Sequence, residues 1–342
     1  MPWSEIEGQE RAVRLLRLAL GRGQPHHAYL FAGPDGVGKE LLARLFAQAA
    51  NCEAPDEQRP CGKCDPCRGI ARGAFPDVMQ VRPQSELIAR GLLTKGDLET
   101  APSREIRVDE VRALGKRLSF AALRGRRKIA IVSPADALNE RAQNALLKTL
   151  EEPPPATTFV LISSQADALL PTIRSRCARV QLQPLPEQLL FDKLLANKVP
   201  EAEARERAAR AQGSLARALD DSGSRKELLE SVEEALAAPD ERNLLDLAEE
   251  HGERAAAADF AAAVTAWTRD LLVAQAGAPA ELLEVRELLP LALEVSARVA
   301  PAALLGQAQL CAQVLEALEQ NGNGRLQLER LLLGARELRS HG

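Results

Sequence analysis

Apolar positions change their spacing along this chain, and each change predicts an element. Across residues 6–20, Val13, Leu16 and Leu20 recur at helical intervals, and Gly21 and Gly23 end the run before Pro25. The spacing then collapses into the continuous run Tyr29, Leu30, Phe31, Ala32, which predicts a short buried strand. Residues 33–38 are rich in glycine and predict a turn, after which residues 39–50 return to helical spacing. Further strands are predicted at 78–81, 128–132, 158–162 and 178–182, with helices over 108–119 and 140–151 between them. Strands separated by helices predict a parallel sheet covered on both faces, since parallel neighbours need long crossovers. Residues 83–104 are polar, carry Gly91 and Gly96, and predict only a surface insertion. Past Pro184 and Pro186 the strand signals stop. The remainder reads as helix interrupted at Gly213, 222–224, Pro239, 277–279 and Pro301. An α/β half is therefore expected to precede a helical half.

Composition narrows the class. The chain has 342 residues, about two to three domain lengths. It is 46% apolar and 27% charged, and its aromatic residues number only Phe 7, Trp 2 and Tyr 1. That balance excludes a disordered chain and favours Leu- and Ala-rich helices over a β-sandwich. Lys and Arg total 44 against 48 Asp and Glu, a net charge of −4. A module that binds DNA alone is disfavoured by this balance, so any DNA contact must be local or shared with partners. No basic, apolar leader opens the sequence and no uncharged apolar run reaches a membrane-spanning length. The expectation is a cytoplasmic protein without a membrane partner, in which clustered cysteines signal metal or catalysis before disulfides.

Several positions carry candidate chemistry. Residues 33–40 fit G-x4-G-K, a loop whose backbone N–H groups cradle phosphates while a lysine reaches the outer ones, so Gly33, Gly36, Gly38 and Lys39 are the candidate phosphate ligands. The next residue should be Ser or Thr to hold Mg2+ but is Glu40, a degenerate form that weakens the case for ATP and Mg2+. An acidic pair is also expected after a neighbouring strand, and Ser133-Pro134 stands there instead; Asp136 reads as a turn or cap residue. Cys52, Cys61, Cys64 and Cys67 form C-x8-C-x2-C-x2-C, a spacing that closes four thiolates around a structural zinc. Arg124, Arg126, Arg127 and Lys128 read either as a solvated loop face or as a phosphate or subunit contact. His26 and His27, with no metal-ligand spacing, suggest a local structural role, and Cys177 and Cys311 read as small buried hydrophobes.

The order of these pieces resembles the bacterial clamp-loader ATPase family of the AAA+ group. The resemblance rests on Gly8-Gln9, the run from His27 to Phe31, the loop at 33–40 and the four cysteines inserted after its helix. It continues through the run from Asn144 to Pro154 (Asn-Ala-Leu-Leu-Lys-Thr-Leu-Glu-Glu-Pro-Pro), Ser175-Arg176-Cys177 and, near the end, residues 321–329. It is dense over 6–182 and loose beyond. It implies a P-loop domain at 1–183 with a zinc module at 52–67, a helical lid at 184–222 and an all-α oligomerisation collar at 223–342. The leucines at 326, 328 and 331–333 suit packing against sister subunits.

Within that family the tau/gamma motor keeps the Ser/Thr and the acidic pair that this chain lacks. The family's Gly-Ser-Leu-Arg segment reads Gly213-Ser214-Leu215-Ala216 here, with Arg217 one residue late. The resemblance therefore implies a stator without intrinsic ATPase, although part of a polymerase holoenzyme, in a hetero-pentameric ring with tau/gamma and delta subunits that places a sliding clamp on primer–template DNA. Arg176 is implied as an arginine finger lent to a neighbour's ATP site, with Arg174 the lesser candidate; the plainer reading of Arg176 is a buried arginine paired with a carboxylate. The alternative for the whole chain is a motor subunit with unusual residues.

Overall fold

The computed structural model describes residues 2–98, 101–219, 228, 230–235, 241–252, 254–279, 283, 285, 289–319 and 322–340. The apolar runs become parallel strands: β1 (Ala28–Ala32), β2 (Val78–Val81), β3 (Lys128–Val132), β4 (Thr157–Ser163) and β5 (Ala178–Gln181), in the order β2-β3-β4-β1-β5. Every residue of β1, β3 and β4 is buried, because a central parallel strand is covered on both faces and has no polar side to show.

Alternate residues serve opposite faces. Tyr29, Phe31, Ile129, Ile131 and Val160 meet Leu16 of α1 (Glu10–Gly21) and Leu42, Leu45 and Phe46 of α2 (Lys39–Asn51). After α3 (Asp65–Ala71) and α4 (Gln84–Ala89), the other face is covered by α5 (Val108–Leu118) and α6 (Glu140–Glu151). There Leu114, Leu118, Leu146 and Leu150 pack on Leu30, Ala130, Val132 and Phe159. The start of α6 is fixed by Asn139, whose side-chain oxygen accepts from the Ala142 N–H at 3.0 Å.

Two expectations are corrected. The first helix starts at Glu10, and Pro2–Glu5 forms a separate 3-10 turn, because Gly8 breaks the path at φ +76°. The segment 83–104 is not featureless: α4 and the 3-10 turn Lys95–Asp97 lie within it. Six residues are too few for helical periodicity to declare itself.

The chain divides into two compact units, Met1–Leu219 and Asp220–Gly342. The first ends with α7 (Pro171–Arg176), which leads into β5, and then α8 (Glu187–Ala196), α9 (Glu201–Arg210) and α10 (Leu215–Leu219). These last helices gather around Leu190, Leu194, Ala204, Ala208 and Ala218. The described helices of the second unit include Glu241–Glu250, Arg254–Gln275, Leu289–Arg298, Pro301–Glu319 and Gly324–Ser340, around a core holding Phe260, Val264, Trp267 and Leu271. The predicted interruption at 277–279 follows a helix end and Pro301 opens a helix; 222–224, Pro239 and Asn321 lie outside the described residues. Of the leucines read as a sister-subunit surface, Leu328, Leu331 and Leu332 are consumed by the unit's own core, while Leu326 and Leu333 face water. Among the described residues no helix is long and apolar enough to cross a membrane.

Candidate functional site

The glycine loop sits between β1 and α2. Gly36 adopts φ +75° and Gly38 φ +98°, backbone that a side chain would strain, and a Cβ on Gly36 would strike the Ser214 hydroxyl. The turn before α10 presses on the loop apex, with the Leu215 N–H donating to Gly36 O at 3.0 Å. Lys39 is buried, and its ammonium donates to Gly33 O at 2.6 Å, Pro34 O at 2.7 Å and Asp35 Oδ1 at 3.1 Å. Its three donors are thus spent inside the loop.

Glu40 is engaged as fully. Its Oε1 accepts from Arg82 at 2.7 Å and from the Ser133 hydroxyl at 3.1 Å, and Arg90 donates to both its oxygens at 3.1 Å. Arg82 is buried and also pairs with Glu86, which in turn holds Arg90 at 2.7 Å. Burial pushes the Glu40 carboxyl up, but hydrogen bonding and charge from Arg82, then Arg90 and Ser133, outweigh it and hold it below the ordinary carboxylate range. The pair is therefore complete at neutral pH, and its contribution to stability disappears only as pH falls through that lowered value. Where a metal-organising pair would need a hydroxyl and a carboxylate, this loop carries a carboxylate already neutralised by guanidinium groups. Arg82, Glu86 and Arg90 escaped the sequence reading; the i,i+4 pair Glu86 and Arg90 was the available signal. Arg217 is exposed and donates to Gln212 at 3.3 Å.

The four clustered cysteines converge at the end of α2 and the start of α3. Their sulfurs all lie within 4.8 Å of one another, and Cys52 and Cys64 are 3.9 Å apart at Sγ. A tetrahedral ion with metal–sulfur bonds of about 2.3 Å places its ligands about 3.8 Å apart, whereas a disulfide needs about 2.05 Å. The Cys61 N–H points at Cys52 Sγ (3.3 Å), and those of Lys63 and Cys64 point at Cys61 Sγ (3.4 Å each). Burial pushes the Cys52 and Cys67 thiols up; at Cys61 the N–H groups of Lys63 and Cys64 outweigh burial and hold the thiol at about 6. Donor type, spacing and N–H support fit a bound metal ion. Trp3 Nε1 braces the module by donating to Arg59 O at 2.8 Å.

Three of the four members of the basic run are tied into the fold. Arg124 pairs with Asp65 of α3 at 2.5 Å, and buried Lys128 donates to the carbonyls of Leu118 (2.5 Å) and Phe120 (2.8 Å). Arg127 donates to Thr158 Oγ1 at 3.3 Å; Arg124 and Arg126 are the exposed members. The loop is fixed from below by buried Asp77, whose carboxylate accepts from the N–H groups of Leu123 (2.8 Å), Arg124 (2.7 Å) and Gly125 (2.6 Å). Asp77→Ala should therefore lower stability by about 2–4 kcal/mol, as bonds to a charged acceptor are lost. A shifted urea midpoint would report it, and an unchanged midpoint would show that water replaces the carboxylate without cost.

At the far end of the sheet, Arg176 NH2 donates to Glu151 Oε1 at 2.6 Å and NH1 to Thr172 O at 3.0 Å. The carboxylate partner of the plainer reading exists, but the pair is not buried: the side chains are 35% and 50% exposed. Arg174 is paired with Asp167. Burial pushes the Cys177 thiol up to about 12 and raises Cys311, as for inert hydrophobes. His26 Nδ1 lies 2.7 Å from Ala28 O, and Asp136 ties β3 to β4 by accepting from Ser163 Oγ at 2.5 Å.

Residues 8–186 match the family model described as DNA polymerase III, delta subunit. Subunit delta' of DNA polymerase III from Pseudomonas aeruginosa is 39% identical over 184 residues, covering 54% of this chain and 51% of that protein. Subunit tau from Salmonella typhimurium is 34% identical over 238 residues, 70% of this chain and 34% of the relative. The chain thus spans about a third to a half of the length of these relatives. A DNA polymerase III gamma subunit-related protein from Thermotoga maritima aligns over 95% of this chain and 98% of its own, at 19% identity and a TM-score of 0.49.

Proposed function

From its membership of the DNA polymerase III, delta subunit family, to which this chain belongs, we propose that it is a non-motor, delta-prime-like clamp-loader subunit. The carrying observation is Glu40, bound by Arg82, Arg90 and Ser133 where a motor subunit keeps a metal-binding hydroxyl and an acidic pair. Phosphoryl transfer depends on a metal and an oriented water, and Glu40 and Ser133-Pro134 do not offer the usual ligands for either. Lys39 likewise donates to the carbonyls of its own loop. The subunit then acts as a stator, joining tau/gamma and delta subunits in a ring that loads a sliding clamp on primed DNA. It contributes Arg176 to a neighbour's ATP site.

The ion held by Cys52, Cys61, Cys64 and Cys67 is, on this reading, zinc in a structural role. Four thiolates suit that ion, and no ligand position stays open for catalysis. Residues 184–222 serve as a small lid and the helical remainder as a collar for assembly.

Two measurements test the reading. The isolated chain should turn over no ATP above background, and Glu40→Thr alone should not create turnover, because Ser133 and Pro134 still leave metal and water unorganised. Steady turnover that survives removal of contaminating ATPases would establish a motor instead. Mixed with the tau/gamma and delta proteins of its own organism, the chain should elute in one larger complex.

A further inference from the structure

Arg176 is the cation that the proposed reading sends to a neighbour, yet it is already occupied at home. Glu151, the last residue of α6, takes one edge of its guanidinium at 2.6 Å. The carbonyl of Thr172 takes another at 3.0 Å, so the side chain lies back along its own helix. The pair adds little to the docking of α6 on α7. Buried Gln143 already joins them by accepting from the Leu170 N–H at 2.8 Å, and Ile173 lies in the same apolar cluster as Leu146 and Leu150.

The chemistry of the fork explains what such a pair can do. A guanidinium has five N–H donors, and this one spends two on partners that water and a competitor can reach. A terminal phosphate offers the same bidentate recognition as a carboxylate with more charge and more oxygens, so it can displace Glu151. A diphosphate, or an empty site, offers less at that position and competes less well.

We propose that Glu151 is a positioning residue for Arg176, holding the guanidinium against its own subunit until the terminal phosphate of a neighbouring nucleotide takes the carboxylate's place. The inference rests on the reading of Arg176 as a cation supplied in trans, and adds to it a residue that sets when the cation is released. No bond is made or broken in the exchange. One acceptor replaces another on the same N–H groups.

The test uses the complete loader rebuilt with Glu151→Gln, Arg176→Ala and the double variant, with ATP turnover measured in the absence of DNA and clamp. Glutamine at a half-exposed helix end keeps an acceptor oxygen and removes the charge. Unstimulated turnover should rise by about two- to fivefold, the range that an exposed ion pair is worth. In the Arg176→Ala background, Glu151→Gln should change nothing. If Glu151→Gln leaves turnover at the unmodified level, or shifts it equally with and without Arg176, the positioning role is wrong while the trans role of Arg176 stands. If Arg176→Ala alone leaves both unstimulated and stimulated turnover untouched, the underlying reading fails first.

Discussion

Protein purified without chelator should carry one zinc per chain, and stripping it should melt the segment around Cys52, Cys61, Cys64 and Cys67 and lower the unfolding temperature of the whole chain. In small zinc-finger peptides the apparent binding energy is about 10–16 kcal/mol at neutral pH, and it is spent on ordering the peptide. Here part of that order exists without the ion: Cys52 and Cys67 are buried, and Gln48 Nε2 donates to Cys67 O at 2.8 Å. The loss should therefore be smaller than in a free finger, and it should be felt at Trp3, whose indole is hydrogen-bonded to Arg59 within the module. Tryptophan fluorescence and thermal melts with and without chelator read both effects. Cys64→Ser should reproduce most of the chelator's shift and make the remaining protein insensitive to it. Well under one zinc per chain, or a melting curve that chelator does not move, would reduce the cluster to four reduced thiols.

What the sequence revealed followed from whether the controlling interaction was local. β1, β3 and β4 were legible because strands buried on both faces must be continuously apolar. The cysteine cluster was legible because Cys61, Cys64 and Cys67 recur every three positions, with Cys52 nine positions before the first of them. The same limit explains the misses. Glu40 could be recognised as foreign to a metal-binding loop, but its partner Arg82 lies 42 positions away and nothing local announces the pairing. Lys128 counted as one more basic residue until the fold turned it inward onto two carbonyls that the loop leaves unfilled. Asp77 passed unnoticed, since a lone aspartate before a strand gives no sign that three N–H groups will close on it. The leucines of the final helix divided between the unit's own core and its surface for the same reason: a helical stripe shows that something covers it, without showing what.

Arg176→Ala should leave folding and ring assembly intact and slow the DNA- and clamp-stimulated ATP turnover of the assembled loader. The folding cost is small because the pair with Glu151 is half-exposed, and such pairs contribute up to about 1 kcal/mol. The catalytic cost is set elsewhere. On the proposed reading, charge accumulates on the transferring phosphoryl group of the neighbour, and a guanidinium supplied in trans stabilises it by about 10³- to 10⁵-fold in rate in other phosphoryl-transfer systems. At the single interface served by this chain the loss should approach that range, whereas turnover by the whole ring should fall less, since the remaining sites draw on other subunits. Arg176→Lys should rescue poorly, because an ammonium retains the charge but loses the planar fork. Arg174→Ala serves as the comparison: it is paired with Asp167 much as Arg176 is with Glu151 but lies outside the Ser175-Arg176-Cys177 run, so its loss should leave turnover near the unmodified level. The measurement is stimulated ATP turnover and clamp loading by rebuilt loaders matched for assembly on size-exclusion. If Arg176→Ala performs like the unmodified chain in both, Arg176 is only a structural cation that caps α7 and pairs with Glu151.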